Sequence, residues 1–312
     1  MLKTEFLEFR IAVLIPCHNE GVTIANVVKS FREELPSATI YVYDNNSTDG
    51  TVLAAEEAGA IVQKENRQGK GFVIQSMFRE IVADVYVMVD GDNTYSAKDV
   101  NKVIAPILDG QADMVIGSRL HETSESAFRK RNRWGNIVFR KVLNSLFRVN
   151  IEDLLSGYRA FNRRLVKGTP LFEGGFATET EMTIKALEQG FRVVEVPVDL
   201  ASRPEGSFSK ISHFKDGISI LTTIVTLWRD YRPLRFFSYL ALFIVVLGSI
   251  PGAWAIADFL NSGELKRVGA ALMAVGLYIM GLILWVAALF LHSVNRRFRE
   301  VLAKLQNMQD DK

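Results

Sequence analysis

Apolar positions fall into two regimes along the chain. Up to about residue 210, short β-rich runs at 11–15, 39–43, 60–62, 85–89 and 114–116 alternate with helical spacing at 22–34, 51–58 and 71–82. The pattern then loosens into a polar, basic stretch at 121–133, followed by helical runs at 134–147 and 178–189 and a last strand at 193–198. The second of these helices meets Gly190, a residue type that commonly closes helices. Such alternation predicts an α/β domain with a mostly parallel sheet and helices on both faces. No internal repeat or low-complexity segment interrupts it.

Between 211 and 228 the large apolar residues Ile211, Phe214, Ile218, Leu221, Val225 and Trp228 recur in steps of three and four, one face of an amphipathic helix. Such a helix can pack on the preceding domain or lie in a membrane interface. Arg229 and Arg232 just beyond it, with an apolar run to follow, favour the interface. Residues 236–257 carry no charge over 22 positions and residues 268–294 none over 27. Each run exceeds the roughly 20 residues that cross a bilayer as a helix. Buried helices of soluble proteins normally show a polar stripe over such lengths, and neither run has one. Gly248, Pro251 and Gly252 lie inside the first run, where a neighbouring helix can cover carbonyls freed by a kink. The link 258–267 is too short for a domain, so the runs form a hairpin.

Lys and Arg crowd the outer flanks, at Arg229, Arg232, Arg235, Arg296, Arg297, Arg299 and Lys304, against Lys266 and Arg267 in the link. That asymmetry predicts both termini on the cytoplasmic side. The expected organisation is an α/β domain at 1–210, an interfacial segment at 211–235, two membrane helices at 236–294 and a cytoplasmic tail at 295–312.

With 312 residues and 48% hydrophobic content the chain can bury a large core. A net charge of +2 says little about partners by itself, and no nucleic-acid partner is expected. The single cysteine, Cys17, excludes an internal disulfide, fits a reducing compartment and reads as a packed thiol rather than a nucleophile. His18, His121, His213 and His292 are too scattered for a zinc site. Charges at Lys3, Glu5, Glu8 and Arg10 leave no long apolar stretch for a secretory leader. Gly269, Ala270, Gly276 and Gly281 permit close helix packing between subunits, which leaves a homo-oligomer open.

The most informative stretch is Tyr86-Val87-Met88-Val89-Asp90-Gly91-Asp92, an apolar strand that stops on two acids one glycine apart. Strands of an open α/β sheet end where the ligand crevice begins. Two carboxylates there cost desolvation unless a cation shares the space. A divalent metal and a plain strand-end turn are the two readings. The run I-A-V-L-I-P-C-H-N-E at 11–20 reads as a buried strand broken by Pro16 and leading into a helix. Y-V-Y-D-N-N-S-T-D-G-T at 41–51 is a second strand ending on Asp44, a carboxylate able to accept hydrogen bonds from a nucleobase imide or ribose hydroxyls. Asp49, Gly50 and Thr51 fit turn and helix-capping roles.

In order along the chain, I-P-C-H-N-E, D-N-N-S-T-D-G-T, Gly69-Lys70-Gly71, Asp90-Gly91-Asp92 and Gly117-Ser118-Arg119 resemble the donor half of a family 2 glycosyltransferase with the GT-A fold. Asp153-Leu154-Leu155-Ser156-Gly157-Tyr158-Arg159, Glu179-Thr180-Glu181 and the segment Arg203 to Lys210 resemble its polyprenyl-phosphate branch, which includes dolichol-phosphate mannose synthase and bacterial polyprenyl-phosphate glucosyltransferases. The resemblance spans about residues 10–210. It implies transfer of one hexose, with inversion, from a nucleotide sugar to polyprenyl phosphate at the cytoplasmic face, with a UDP-sugar placed ahead of GDP-mannose. It places Pro16, Asn19, Glu20, Asp44, Lys70, Asp90 and Gly91 in the nucleotide-sugar pocket, and Asp90 and Asp92 at a Mg²⁺ or Mn²⁺ ion on the diphosphate. Asp92, Asp153 and Arg119 become the catalytic candidates. Asp153 either orients the acceptor or caps a loop.

Acceptor phosphate contacts are expected from Arg119, Arg131, Ser156, Arg203 and Lys210, since guanidinium forks match phosphate oxygens. The cluster Arg129 to Arg133 also reads as a solvated face or a patch drawn to anionic lipid. Two positions depart from the family pattern: Asn45 where a second acid is frequent, and Thr94 where a metal-proximal Gln is frequent. Two other functions compete. A processive polysaccharide synthase usually carries Q-x-x-R-W after the sheet, but Lys130-Arg131-Asn132-Arg133-Trp134 lacks the Gln and sits early. A non-catalytic membrane scaffold is disfavoured because both metal acids are present.

Overall fold

The computed structural model describes residues 9–119, 137, 139–147, 149–175, 177–201, 204 and 213–310. Its strands are β1 (Ile11–Cys17), β2 (Thr39–Asp44), β3 (Ile61–Lys64), β4 (Val85–Met88), β5 (Met114–Ser118), β6 (Arg159–Asn162) and β7 (Val193–Pro197). The helices are α1 (Ile24–Glu34), α2 (Thr51–Glu57), α3 (Lys70–Glu80), α4 (Val100–Leu108), α5 (139–147), α6 (Arg163–Gly168), α7 (Thr178–Glu188), α8 (His213–Tyr231), α9 (Pro233–Ser262) and α10 (Val268–Asp310). Two compact units divide the chain, Met1–Ile224 and Val225–Lys312.

The first unit holds one seven-stranded sheet in the order β3-β2-β1-β4-β6-β5-β7. Neighbours run parallel except β6, which lies antiparallel between β4 and β5. Strand alternation sends Val13, Ile15, Val42, Val87 and Val89 into a core shared with Val28 and Phe31 of α1 and Val103 and Ile104 of α4. On the opposite face Tyr86 packs against Phe78 of α3, and the Tyr43 hydroxyl donates to Glu80 of the same helix. Helices thus cover both faces, and the central strands β1 and β4 are apolar and buried throughout, as a doubly covered sheet requires. Because β1 is flanked by β2 on one side and β4 on the other, the topological switch point lies at its carboxyl end.

Pro16 does not break the first strand. β1 runs through it, pairing Pro16 with Tyr43 and Cys17 with Asp44. The Cys17 carbonyl accepts from Asn45 on the β2 side and the Leu14 carbonyl from Val89 on the β4 side. By alternation Pro16 faces β4, whose pairing ends at Leu14 opposite Met88, so its missing N–H costs no ladder bond. Elements outside the sequence-based expectation include β6, α4 and the short α6. β6 opens on the fully buried Arg159, which masks a short apolar run. α4 carries Val100, Val103, Ile104 and Ile107 on one buried face, a legible helical spacing that contains Pro106 near its end.

In the second unit α9 ends at Gly263, whose φ of 69° and N–H bond to the Phe259 carbonyl close the helix. Both α9 and α10 are long and apolar enough to cross a membrane. Leu260, Leu272 and Phe290 are 77%, 68% and 68% exposed, apolar surface of the kind that suits lipid better than water. α10 continues unbroken to Asp310, so the expected tail at 295–312 begins as an extension of this helix. A Cβ on Gly281 would meet Val245 and the Ala241 carbonyl within the hairpin, while one on Gly269 or Gly276 would meet nothing within 4 Å.

Candidate active site

Parallel register carries three strand tips to one edge, so the segments after Cys17, Asp44 and Met88 emerge together. Each turns on an asparagine in the left-handed region: Asn19 at φ 51°, Asn46 at 60° and Asn93 at 58°. Asparagine enters that region more readily than other residues with a Cβ.

Asp90 sits at the centre of this edge with 30% of its side chain exposed. Lys70 Nζ lies 2.6 Å from its carboxylate and 2.6 Å from that of Glu179 on α7. Burial works against the ammonium, but the two acids outweigh it and hold its pKa above the ordinary lysine value. Lys70 opens α3 directly after Gly69, whose φ of 138° and contact with the Gly174 carbonyl admit no side chain. A Cβ on Gly157 would collide with the Asp90 carboxylate, so the loop before β6 packs directly on this acid. Asp92 is 6% exposed, and its Oδ1 accepts from the Thr94 N–H at 3.1 Å and hydroxyl at 2.6 Å. Thr94, in the place of the frequent Gln, orients the second acid through this bond.

Glu20 and Gly91 meet through Thr23, whose hydroxyl donates to the Gly91 carbonyl at 2.7 Å and lies 3.4 Å from Glu20 Oε2. Asn19 ties the first two tips: its N–H donates to Ser47 at 2.8 Å and its Oδ1 accepts from the Thr48 N–H at 2.8 Å. Asp49 caps as expected, accepting from Thr51 and Gly21 N–H groups at 3.0 Å each. Burial opposes its ionisation, yet these bonds hold its carboxyl below the usual range. Asp44 is 3% exposed, and the Ser47 N–H lies 3.2 and 3.3 Å from its two oxygens, turning the carboxylate into its own turn.

Asn45 holds the loop that delivers Lys70. Its Nδ2 donates to the carbonyls of Glu65 (3.0 Å) and Arg67 (2.8 Å). Its Oδ1 accepts from the Gly69 N–H (2.7 Å) and Gln68 (3.1 Å). An acid at this position has no proton to offer those two carbonyls at neutral pH.

Arg119, at the end of β5, forms a two-pronged pair with the fully buried Asp153, with Nε and one terminal nitrogen each at 2.7 Å, and its backbone N–H adds a third bond at 3.0 Å. Burial pushes the Asp153 carboxyl up, but Arg119 outweighs it and keeps the pKa low. Glu195 of β7 in turn accepts from the backbone N–H groups of Glu152 and Asp153, both at 2.8 Å. Ser156 requires a correction: it is fully buried and donates to the Gly117 carbonyl at 2.6 Å, so its hydroxyl ties the loop to β5 and does not face an acceptor phosphate. Arg131, Arg203 and Lys210 lie outside the described residues.

Sequence reasoning missed three parts of this site. Glu179 was visible only as part of a motif, with nothing to pair it to Lys70 109 positions away (179 − 70). Gly157 matters only because Asp90 lies against it. Arg159, fully buried, donates to the Ser156 and Leu154 carbonyls and to the Thr183 hydroxyl, knitting the loop to α7.

Comparison with known proteins agrees with this geometry. Residues 12–169 match the profile of Glycosyl transferase family 2. "Glycosyltransferase AglJ" of Haloferax volcanii is 35% identical over 228 residues, 73% of this chain and 75% of that protein. "Dolichyl-phosphate hexose transferase" of the same organism is 28% identical, over 73% of this chain and 98% of its own. This is a relative of the kind the sequence resemblance pointed to. Glucosyl-3-phosphoglycerate synthase from Mycobacterium tuberculosis, solved with Mn²⁺, uridine diphosphate and phosphoglyceric acid, superposes with a TM-score of 0.59 at 20% identity, over 73% of this chain and 81% of that one. That likeness bears out the GT-A fold. With the strand tips after Cys17, Asp44 and Met88 inside the matched residues and a 35% identical relative along most of both lengths, the chain belongs to glycosyl transferase family 2.

Proposed function

We propose that this protein moves a single hexose from a nucleotide sugar to a polyprenyl phosphate at the cytoplasmic face of a membrane, inverting the anomeric carbon in one displacement. The observation that carries the reading is the pair Asp90 and Asp92 at the switch point, together with an Arg119 that feels the charge of Asp90 and is held in a two-pronged pair by buried Asp153. Relatives named for dolichyl-phosphate and undecaprenyl-phosphate sugar transfer support the acceptor class.

Among the described residues no group of three or more His, Cys, Asp or Glu side chains forms a metal cage. Two carboxylates on an open edge suit Mg²⁺ or Mn²⁺, which keep part of their coordination for substrate phosphates and water. Asp90 and Asp92 would hold such an ion, which when bound supplies Lewis acidity to a departing diphosphate. Arg119 binds phosphate oxygens without losing its geometry, since Asp153 holds its far side. The acceptor monoester, with a second pKa of about 6, is largely a dianion at neutral pH and attacks without a strong base. Asp153 accordingly acts on the acceptor through Arg119. Arg131, Arg203 and Lys210 complete the acceptor contacts in this reading, and Pro16, Asn19, Glu20 and Asp44 shape the nucleotide end. α8 lies along the membrane surface, and the flanking arginines keep both ends of the hairpin on the cytoplasmic side.

The test is purified protein with Mn²⁺, a short polyprenyl phosphate and a panel of UDP- and GDP-sugars, read first by thermal shift for the donor and then by formation of a lipid-linked hexose. Product is expected with a UDP-sugar and lost in Asp90→Ala and Asp92→Ala. Unchanged turnover in those variants refutes the reading.

A further inference from the structure

Lys70 occupies the position from which a resident cation would compete for Asp90. Its side chain is 14% exposed, and the ammonium sits between two carboxylates at 2.6 Å each, one just beyond β4 and one from α7. The position is built. Asn45 clamps the loop before α3 through four hydrogen bonds, and the close approach of Gly69 to Gly174 sets the first turn of the helix. Glu179 is itself 5% exposed, so the ammonium has a buried anionic partner that does not belong to the strand-tip pair.

We infer that Lys70 is the internal counter-ion of Asp90, that it holds divalent metal off the acidic pair until the nucleotide diphosphate arrives, and that Glu179 receives its charge when the metal takes Asp90. The inference rests on the metal role proposed above for Asp90 and Asp92.

An unpaired charge is costly where burial is even partial, as at Asp90, so a site that waits for its metal gains from carrying its own cation. A divalent ion placed against Asp90 meets the like charge of Lys70, and like charges a few ångströms apart disfavour one another strongly. The donor changes the balance in two ways. Its diphosphate supplies further oxygen ligands to the metal, and its negative charge gives the ammonium a second anion to face. Glu179 matters because it lets Lys70 release Asp90 without becoming an unpaired buried charge. The consequence is ordered loading, in which metal enters with the nucleotide and the empty enzyme does not collect free Mn²⁺.

The experiment titrates Mn²⁺ into full-length protein in detergent, with and without UDP, reading free Mn²⁺ by electron paramagnetic resonance. The wild type is expected to bind Mn²⁺ weakly alone and much more tightly with UDP. Lys70→Met should bind Mn²⁺ alone about tenfold or more tightly than the wild type, since it removes a like charge next to the site. Glu179→Gln should weaken binding in the presence of UDP, because Lys70 then has only Asp90 to pair with. Opposite signs in the two variants separate the inference from simple loss of structure, which weakens both. Equal Mn²⁺ affinity of Lys70→Met and wild type without UDP overturns the inference, as does unchanged or tighter binding in Glu179→Gln. Asp90→Asn and Asp92→Asn tell the two levels apart. If they abolish UDP-dependent binding while Lys70→Met matches the wild type, only the counter-ion role falls. If they leave it intact, the metal role falls as well.

Discussion

Replacing Asn45 by Asp changes one atom's chemistry and almost no volume, yet the loop around it is built for an amide. Nδ2 donates to the Glu65 and Arg67 carbonyls from a side chain that is 3% exposed. An aspartate keeps the acceptor for Gly69 and Gln68 but turns an oxygen toward both carbonyls. Each buried carbonyl left without a donor costs about 1–3 kcal/mol. The Arg67 carbonyl is only partly buried and recovers some water, which brings the total to about 2–5 kcal/mol. For a domain of this size that lowers the melting temperature by roughly 5–15 °C.

The sign with pH follows from the same geometry. Folding favours the protonated aspartic acid, which can donate to one carbonyl, so its folded pKa is raised and the deficit shrinks as pH falls. Thermal unfolding of Asn45→Asp at pH 8 and pH 5, followed by near-ultraviolet circular dichroism, measures both effects. Because the clamp delivers Lys70, KM for the donor should also rise. A variant that melts within about 2 °C of the wild type at both pH values refutes the argument, since that gap is below 1 kcal/mol.

Gly157→Ala pushes a methyl group into the Asp90 carboxylate. The carboxylate can swing aside at little cost in stability, but misplacing it should lower kcat/KM on the order of a hundredfold, and unchanged kinetics would show that Asp90 has room. Glu65 is held at about 2 instead of 4.5, first by its hydrogen bond to the Arg67 guanidinium against the cost of burial, with Ser76 adding to it. Discounted for the half-exposed Arg67, this adds on the order of 2 kcal/mol at neutral pH. A lowered folded pKa gives stability that is present above the unfolded value and lost as pH falls through the folded one. The melting gap between wild type and Glu65→Gln should therefore be full at pH 7 and close from pH 4.5 toward 2; a gap constant with pH would sink the assignment.

Much of the site is legible before folding because its residues end strands. Asp44, Asp90 and the segment after Cys17 each follow an apolar run, and the parallel sheet has no choice but to bring such ends to one edge. The roles at that edge are another matter. Asp44 and Asp90 look alike in sequence, yet one carboxylate is folded into its own turn and the other stands partly open beside a lysine. Ser156 lies in a motif that points to the acceptor, but its hydroxyl is committed to Gly117. Neither outcome has a local signal.

What the chain determined by itself is what depends on periodicity and on solvent: the alternation that makes strands and helices, the acids that close apolar runs, and two uncharged stretches long enough to span a bilayer. These are properties of neighbouring residues, so a linear reading recovers them. Tertiary structure alone decided the pairings across distance. Lys70 reaches Glu179, Arg119 is held by Asp153, Asn45 clamps the loop after β3, and antiparallel β6 slips between two strands with a buried arginine at its head. Such contacts exist only once the chain has closed on itself, and burial rather than residue type then sets what each charged or polar group can do.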